Sequence, residues 1–126
     1  MGYRSEVALG IREVDYKKLE EKVNSIFDEK LKASVTVLLR KDAESSLDED
    51  GNYHILRWSD VKWYEDFYPE INWLMNNLPP IYAFIRIGEN TEDIEQKYST
   101  EDPDTGELDD YMYEILGITR DIYTAF

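Results

Sequence analysis

Two segments with an alternating pattern constrain the fold most. Residues 6–12 (EVALGIR) and 81–87 (IYAFIRI) place apolar side chains at every second position, which is the period of a β-strand. In the second segment Tyr82, Phe84 and Arg86 share the face opposite the isoleucines. Because successive side chains of a strand point to opposite faces, both segments are predicted to lie in a sheet with two distinct faces.

Shorter patterns predict the other elements. Residues 34–40 (SVTVLLR) are rich in β-branched residues and residues 53–58 (YHILRW) follow an Asp-Gly turn signal, so both are predicted strands of one hairpin. Helical spacing of apolar residues predicts helices over residues 14–30 and 69–78. The order βαββαβ predicts an α+β fold of ferredoxin-like type, an antiparallel sheet with two helices on one face.

The C-terminal part is predicted to extend this sheet. Residues 93–126 are expected to add an acidic β-hairpin at the sheet edge. The length of 126 residues and the lack of a linker predict a single domain over residues 1–126. Because both helices would cover one face, the other face is expected to be open, with Tyr82, Phe84 and Arg86 on it.

The charge of the chain is strongly negative and unevenly distributed. The net charge at pH 7 is −14, and residues 42–126 alone carry a net −16. Residues 89–114 contain eleven Asp and Glu against one Lys. Affinity for nucleic acids comes from neutralising phosphates, so direct nucleic-acid binding is not expected and basic proteins are the expected partners.

The acidic run has two interpretations. Charges at a sheet edge discourage pairing with other sheets, so the run can serve solubility alone. Alternatively, the carboxylates imitate phosphates and occupy the basic groove of a nucleic-acid-binding protein. The clustering of charge favours the second interpretation, and the predicted partner-binding residues are Glu92, Asp93, Glu95, Glu101, Asp102, Asp104, Glu107, Asp109 and Asp110.

Aromatic and basic residues interleave in residues 57–73 (RWSDVKWYEDFYPEINW). Such rings commonly close a core, but Trp, Tyr and Arg also dominate binding hot spots. A pocket of rings and cations can stack on a nucleotide and pair with its charge. The predicted residues of this alternative ligand site are Arg4, Arg57, Lys62, Trp63, Tyr64, Tyr82, Phe84 and Arg86.

No motif of catalysis or metal binding is apparent, so no catalytic residue, metal ion or cofactor is predicted. The chain has no cysteine, and its one histidine, His54, stands in neither a nucleophile elbow nor a ligand spacing, which predicts a strand surface residue. No apolar run approaches membrane-spanning length. The protein is therefore expected to be cytoplasmic and non-enzymatic, without membrane association.

Three stretches together resemble a family of small bacteriophage and prophage proteins: MGYRSEVAL at residues 1–9, WSDVKWYEDFYPEI at 58–71 and FIRIGENTEDIE at 84–95. The resemblance spans most of the chain in order and implies a phage origin, while implying no particular activity. The chain differs from the family in its longer acidic stretch TEDPDTGELDDY at residues 100–111.

Origin and charge together predict the function. The expectation is a non-enzymatic inhibitor of a host nucleic-acid-handling defence protein, of the anti-CRISPR or anti-restriction type, with an acidic surface that mimics DNA. Two alternatives stay open at this point. One is a sponge that sequesters a nucleotide immune signal in the Arg and aromatic pocket, and the other is an immunity protein that covers a basic toxin nuclease.

Overall fold

The computed structural model describes residues 4–47, 51–64, 67–89, 92–112 and 114–115. Within these ranges the protein is α+β, with three α-helices and an open antiparallel sheet of five strands. In chain order the elements are β1 (Ser5–Arg12), α1 (Glu13–Asn24), α2 (Glu29–Thr36), a π-helical segment (Val37–Asp42), β2 (Glu44–Leu47), β3 (Tyr53–Val61), α3 (Pro69–Asn76), β4 (Tyr82–Gly88) and β5 (Ile94–Ser99).

The strand order in the sheet is β2-β3-β1-β4-β5, and every neighbouring pair is antiparallel. β3 therefore lies between β1 and β2, and β1 lies between β3 and β4. The register places Leu9 of β1 opposite Leu56 of β3 and Phe84 of β4. Because directly opposed residues point to the same side, these three side chains belong to one face.

That face carries the helices, and we call it the helical face. The alternation predicted for β1 is confirmed there, since Val7, Leu9 and Ile11 are buried in one core cluster. The helices contribute to the same cluster the buried side chains Leu19, Val23, Val35, Ile71 and Leu74.

The opposite face of the sheet is also covered, and the prediction of an open face is wrong. Met112 and Ile115 are fully buried there against Ala8, Ala83 and Ile85. Their packing follows from the small residues on this side of β1 and β4, which leave room for another layer.

Tyr82, Phe84 and Arg86 lie on the helical face rather than on an open one. Phe84 has no solvent exposure, and Tyr82 packs against the helical core. The alternation of β4 was predicted correctly, but the side that its aromatic residues occupy was not.

Residues 34–40, predicted as the second strand, are helical, because they span the end of α2 and the π-helical segment. Val35, Leu38 and Leu39 are buried at helical spacing, so packing on the sheet outweighs the weak strand preference of the β-branched residues. The second strand is β2, in which all four residues are exposed. β2 forms a hairpin with β3, in place of the predicted hairpin between residues 34–40 and 53–58.

The helix predicted over residues 14–30 is confirmed only as far as Asn24, and a second helix begins just before the predicted end. α1 ends at Asn24, and α2 begins after Asp28, whose carboxylate accepts hydrogen bonds from the backbone N–H groups of Lys30 (3.0 Å) and Leu31 (3.2 Å). This is a side-chain N-cap, which satisfies backbone donors at the start of a helix. The described part of the chain thus has three α-helices instead of the predicted two.

Within the described residues, only the first strand of the predicted acidic hairpin is present, as β5. β5 pairs with β4 as a hairpin, and an isolated bridge joins Glu101 to Leu108. Where the second strand of the hairpin was predicted, the described residues Tyr111, Met112, Glu114 and Ile115 are helical. Residues 116–126 of the predicted hairpin lie outside the described residues. None of the described helices is both long enough and apolar enough to cross a membrane.

Candidate partner-binding surface

The acidic segment, residues 89–114, runs from the end of β4 through β5 and a compact turn to the helical residues that pack on the opposite face. Its carboxylates fall into two groups. Some form ion pairs or hydrogen bonds that hold the segment to the sheet, and others extend into solvent. This division decides which of them can meet a partner.

Arg86 holds the start of the segment. Its guanidinium forms a bidentate pair with Asp93 (Nη2–Oδ1 2.9 Å and Nη1–Oδ2 3.2 Å) and a longer contact to Glu95 (Nε–Oε2 3.5 Å). Lys97 adds a second cation at 3.1 Å from Glu95. The hydrogen bond to Asp93 raises the pKa of Arg86. Two of the predicted partner-binding acids are thus neutralised within the protein, by the arginine that was predicted to bind a ligand.

Arg12 holds the turn of the segment to the body of the protein. It lies at the end of β1 and contacts Asp15 of α1 (Nε–Oδ2 2.8 Å) and Glu107 of the turn (Nη1–Oε1 2.6 Å). Burial acts to lower the pKa of Arg12, but the hydrogen bonds to both carboxylates outweigh burial and raise it. The guanidinium therefore stays charged and links helix, sheet and turn.

Asp102 shapes the turn from within. Its Oδ1 accepts hydrogen bonds from the backbone N–H groups of Asp104 (2.9 Å) and Thr105 (3.4 Å), which is an Asx-turn. Gly106 has a φ of 73°, a conformation that glycine adopts without steric cost, and its N–H bonds to the carbonyl of Asp102 (2.8 Å). The hydrogen bond from the N–H of Asp104 lowers the pKa of Asp102.

Asp109 closes the turn against β3. Both of its carboxylate oxygens accept from the Tyr53 hydroxyl, at 2.8 and 2.9 Å, and its backbone N–H donates to the carbonyl of Thr100 (2.7 Å). Tyr53 in turn contacts the ring of Tyr111, with 5.1 Å between the ring centroids. The chain therefore leaves the turn in a fixed direction, towards the opposite face.

Three of the predicted partner-binding residues have carboxylates that are available to another protein. Glu101, Asp104 and Asp110 are exposed, and no side chain or backbone group of the described residues forms a hydrogen bond or ion pair with their carboxylates. Glu92, at the turn between β4 and β5, is also exposed. We call Glu101, Asp104 and Asp110 the free acidic cluster.

The residues of the alternative ligand site are brought together only in part. Arg57 lies on the opposite face, where β3 pairs it with Glu44 of β2, and its guanidinium is 4.0 Å from the Glu44 carboxylate. Tyr64 is half-buried and stacks near Tyr68, with 6.2 Å between the ring centroids. Tyr82, Phe84 and Arg86 lie on the helical face as described above.

Arg4, Lys62 and Trp63 do share one cavity, of about 350 Å³. The buried indole N–H of Trp63 has no acceptor among the described residues. Carboxylates outnumber cations in the cavity wall, which also contains Leu38, Asp42, Trp58, Asp60, Val61, Tyr68, Glu70 and Ile71.

His54 was predicted to be a surface residue, and this is wrong, since it is 8% exposed. Its Nδ1 lies 2.8 Å from Glu13 Oε2, its Nε2 forms a hydrogen-bond contact with Ser45 Oγ, and Tyr16 stacks on its ring with 3.8 Å between centroids. Local sequence motifs do not reveal this cluster, because Glu13, Ser45 and His54 lie far apart in the chain. A correct hairpin register would have found it, because β2 and β3 bring Ser45 and His54 to the same face.

No group of three or more potential metal-ligating side chains is arranged for an ion within the described residues. Comparison of the chain with protein-family models, curated proteins and solved structures gives no match. The resemblance to phage proteins therefore stays a prediction.

Proposed function

We propose that this chain is a phage-encoded binding protein that inhibits a host nucleic-acid-handling defence protein, of the anti-CRISPR or anti-restriction type. In this proposal the free acidic cluster takes the place of DNA phosphates in a basic groove of the target. The partner is a basic protein of the host cytoplasm, and the action of this surface is binding rather than catalysis.

The observation that carries the proposal is the exposure of three unpaired carboxylates on a turn that is itself firmly held. Arg12, Asp102 and Asp109 fix this turn through five hydrogen bonds of their side chains. A preorganised surface loses less conformational entropy on binding than a flexible acidic loop does. The fixation stabilises the fold and, in this proposal, also holds the three carboxylates in place for the partner.

Long-range electrostatics support the same proposal. Residues 42–126 carry a net −16, and such a field attracts a basic partner and speeds the encounter. The free acidic cluster lacks intramolecular cations within the described residues, so its charge stays available at the contact.

We further propose that the fold is ferredoxin-like, with β5 as an added edge strand. The order β2-β3-β1-β4, in which β3 is inserted between β1 and β2, supports this assignment because it is the split βαβ arrangement.

The proposal is tested by capturing partners from a bacterial lysate with three forms of the protein. The first is the wild type, and the second carries Glu101→Gln, Asp104→Asn and Asp110→Asn. The control variant loses three exposed carboxylates elsewhere, through the changes Glu21→Gln, Glu29→Gln and Asp42→Asn.

The wild type and the control are expected to retain a basic nucleic-acid-binding protein that high salt releases, because the contact is electrostatic. The cluster variant is expected to lose it. Equal retention by the cluster variant would contradict the proposal, and loss by the control alone would move the contact to the helical side. If the captured protein is a toxin nuclease, this chain is instead an immunity protein that binds the nuclease through the same surface.

Sequestration of a nucleotide is the second candidate, favoured by the cavity that Arg4, Lys62 and Trp63 share and by the unpartnered indole N–H. Small-molecule mass spectrometry of the purified protein tests it. A nucleotide that co-purifies with the wild type and is lost on Lys62→Ala is expected. Its absence from the wild type would contradict this candidate and leave the acidic surface unaffected.

A further inference from the structure

Three side chains from three separate elements form a hydrogen-bonded relay beside the edge of the sheet. Glu13 is the first residue of α1, Ser45 lies in β2 and His54 lies in β3. His54 Nδ1 is 2.8 Å from Glu13 Oε2, and His54 Nε2 contacts the hydroxyl oxygen of Ser45. A carboxylate, an imidazole and a serine hydroxyl in this order are the components of a nucleophilic triad.

The contacts fix the roles of the two ring nitrogens. In neutral His54 the Glu13 carboxylate can only accept, so Nδ1 carries the proton and donates it to Glu13. Nε2 then has a free lone pair, and the Ser45 hydroxyl donates to it. This is the tautomer in which an imidazole can take a proton from serine.

The ring of His54 is shielded from solvent, whereas the hydroxyl-bearing residue Ser45 is accessible. His54 is 8% exposed, and the ring of Tyr16 lies almost parallel to it, with an interplanar angle of 11°. Ser45, by contrast, is exposed on β2. β2 is an edge strand, and alternate N–H groups of an edge strand point away from the sheet, where they can donate to a developing oxyanion.

We propose that Ser45, His54 and Glu13 form a hydrolytic site for carboxylic esters, with Ser45 as nucleophile and His54 as general base. Ser45 Oγ forms a bond to the carbonyl carbon while its proton passes to His54 Nε2. The alkoxide of the ester leaves with that proton, and an acyl-serine remains. Water then attacks the acyl carbon and gives a proton to His54 Nε2. The bond between Ser45 Oγ and the acyl carbon breaks, the carboxylic acid leaves, and Ser45 Oγ takes the proton back from His54. Glu13 is a positioning residue that holds the imidazole and stabilises its cation.

The proposed site shares no residue with the free acidic cluster. Ser45 lies on the edge strand β2 and β5 on the opposite edge, while the turn of the acidic segment reaches β3 through the contact of Asp109 with Tyr53. Changes at Ser45 are therefore expected to leave partner capture intact, and changes in the free acidic cluster are expected to leave serine reactivity intact.

The test uses a fluorophosphonate probe, which forms a bond between serine Oγ and phosphorus as fluoride leaves and the hydroxyl proton passes to the base. Intact-mass measurement and peptide mapping locate the adduct. Ser46 offers a matched control, because it is the next residue of the same exposed strand and points to the opposite face. The expected result is one adduct on Ser45 in the wild type and in Ser46→Ala, and none in Ser45→Ala.

The other two residues are tested by rate. His54→Gln is expected to slow labelling by about 10²–10⁴-fold, the usual contribution of a general base. Glu13→Gln is expected to lower kcat for p-nitrophenyl acetate and leave KM unchanged, which a purely structural role would not do. Circular dichroism checks that each variant is folded. An unlabelled wild type, an adduct that persists in Ser45→Ala, or equal labelling of His54→Gln would each overturn the proposal.

Discussion

Replacing Gly10 by alanine tests the packing that attaches the end of the acidic segment to the sheet. A Cβ at position 10 would lie 2.5 Å from Cγ2 of Ile115, well inside van der Waals contact. Ile115 is fully buried and branched at Cβ, so this methyl group cannot turn away easily. Overpacking of this kind costs about 1–3 kcal/mol. The reduced freedom of the unfolded chain returns about 0.4–1 kcal/mol. Gly10→Ala is therefore expected to destabilise the protein by roughly 1–2 kcal/mol.

In the Ile115→Ala background, Gly10→Ala is expected to raise the free energy of unfolding instead of lowering it. Ile115→Ala removes the clashing methyl group, at its own cost of about 2–5 kcal/mol for the lost burial. In that background Gly10→Ala keeps only its effect on the unfolded chain and is expected to stabilise by about 0.4–1 kcal/mol. Urea unfolding of the four forms measures both effects as a double-mutant cycle. Equal effects of Gly10→Ala in both backgrounds would refute the reasoning, because the side chain of Ile115 would then not lie over Gly10.

Three further predictions concern single side chains. The pKa of Asp102 is lowered, so its carboxylate contributes stability above its ordinary pKa of about 4 and loses that contribution as the pH falls below it. The difference in unfolding free energy between wild type and Asp102→Asn is therefore expected to shrink on acidification, and a pH-independent difference would contradict this. Arg12→Ala leaves the buried carboxylate of Asp15 unpaired and is expected to cost about 3–5 kcal/mol in urea unfolding, with partial recovery when Asp15→Asn is added. The indole N–H of Trp58 donates to the carbonyl of Leu38 at 2.8 Å, whereas that of Trp63 has no acceptor among the described residues. Trp58→Phe is therefore expected to lower the free energy of unfolding by about 1–3 kcal/mol more than Trp63→Phe does, as measured by urea or thermal unfolding. Equal losses would contradict a stabilising role of the Trp58 hydrogen bond.

The faces of the central strands could be predicted because alternation is a local property. Val7, Leu9 and Ile11 share a face in any strand, whatever lies above it. That the second face is covered could not be predicted in the same way, because it depends on Met112 and Ile115 returning from the far end of the chain. Gly10 was the signal available in the sequence, since a glycine inside a strand often marks close approach by another group.

The error at residues 34–40 has a different cause. A short apolar run is compatible with a buried strand and with a buried helix, and its β-branched residues decided for the strand. Asp28 as an N-cap, followed by Val35, Leu38 and Leu39 at helical spacing, carried the better information. Placing the strand too early also hid the relay, because it removed Ser45 from the hairpin that contains His54.

The candidate surface was predicted in composition but not in detail. Charge counting found the acidic segment, yet it treated all carboxylates alike. Whether a carboxylate is free depends on the cations near it, and Arg12 reaches Glu107 from a position 95 residues earlier in the chain. Only the folded arrangement separates the residues that hold the turn from Glu101, Asp104 and Asp110, which extend from it.

Competition with DNA tests the central claim most directly. A captured basic partner is bound to labelled duplex DNA, and the protein is added at several salt concentrations. If the free acidic cluster takes the place of phosphates, the wild type displaces the DNA, and the apparent affinity of the wild type for the partner falls steeply with salt. The cluster variant, with Glu101→Gln, Asp104→Asn and Asp110→Asn, then competes far more weakly than the control variant with its three changes on the helical side. Displacement by the cluster variant equal to that by the wild type would contradict the account, because these carboxylates would then not be the groups that the partner binds.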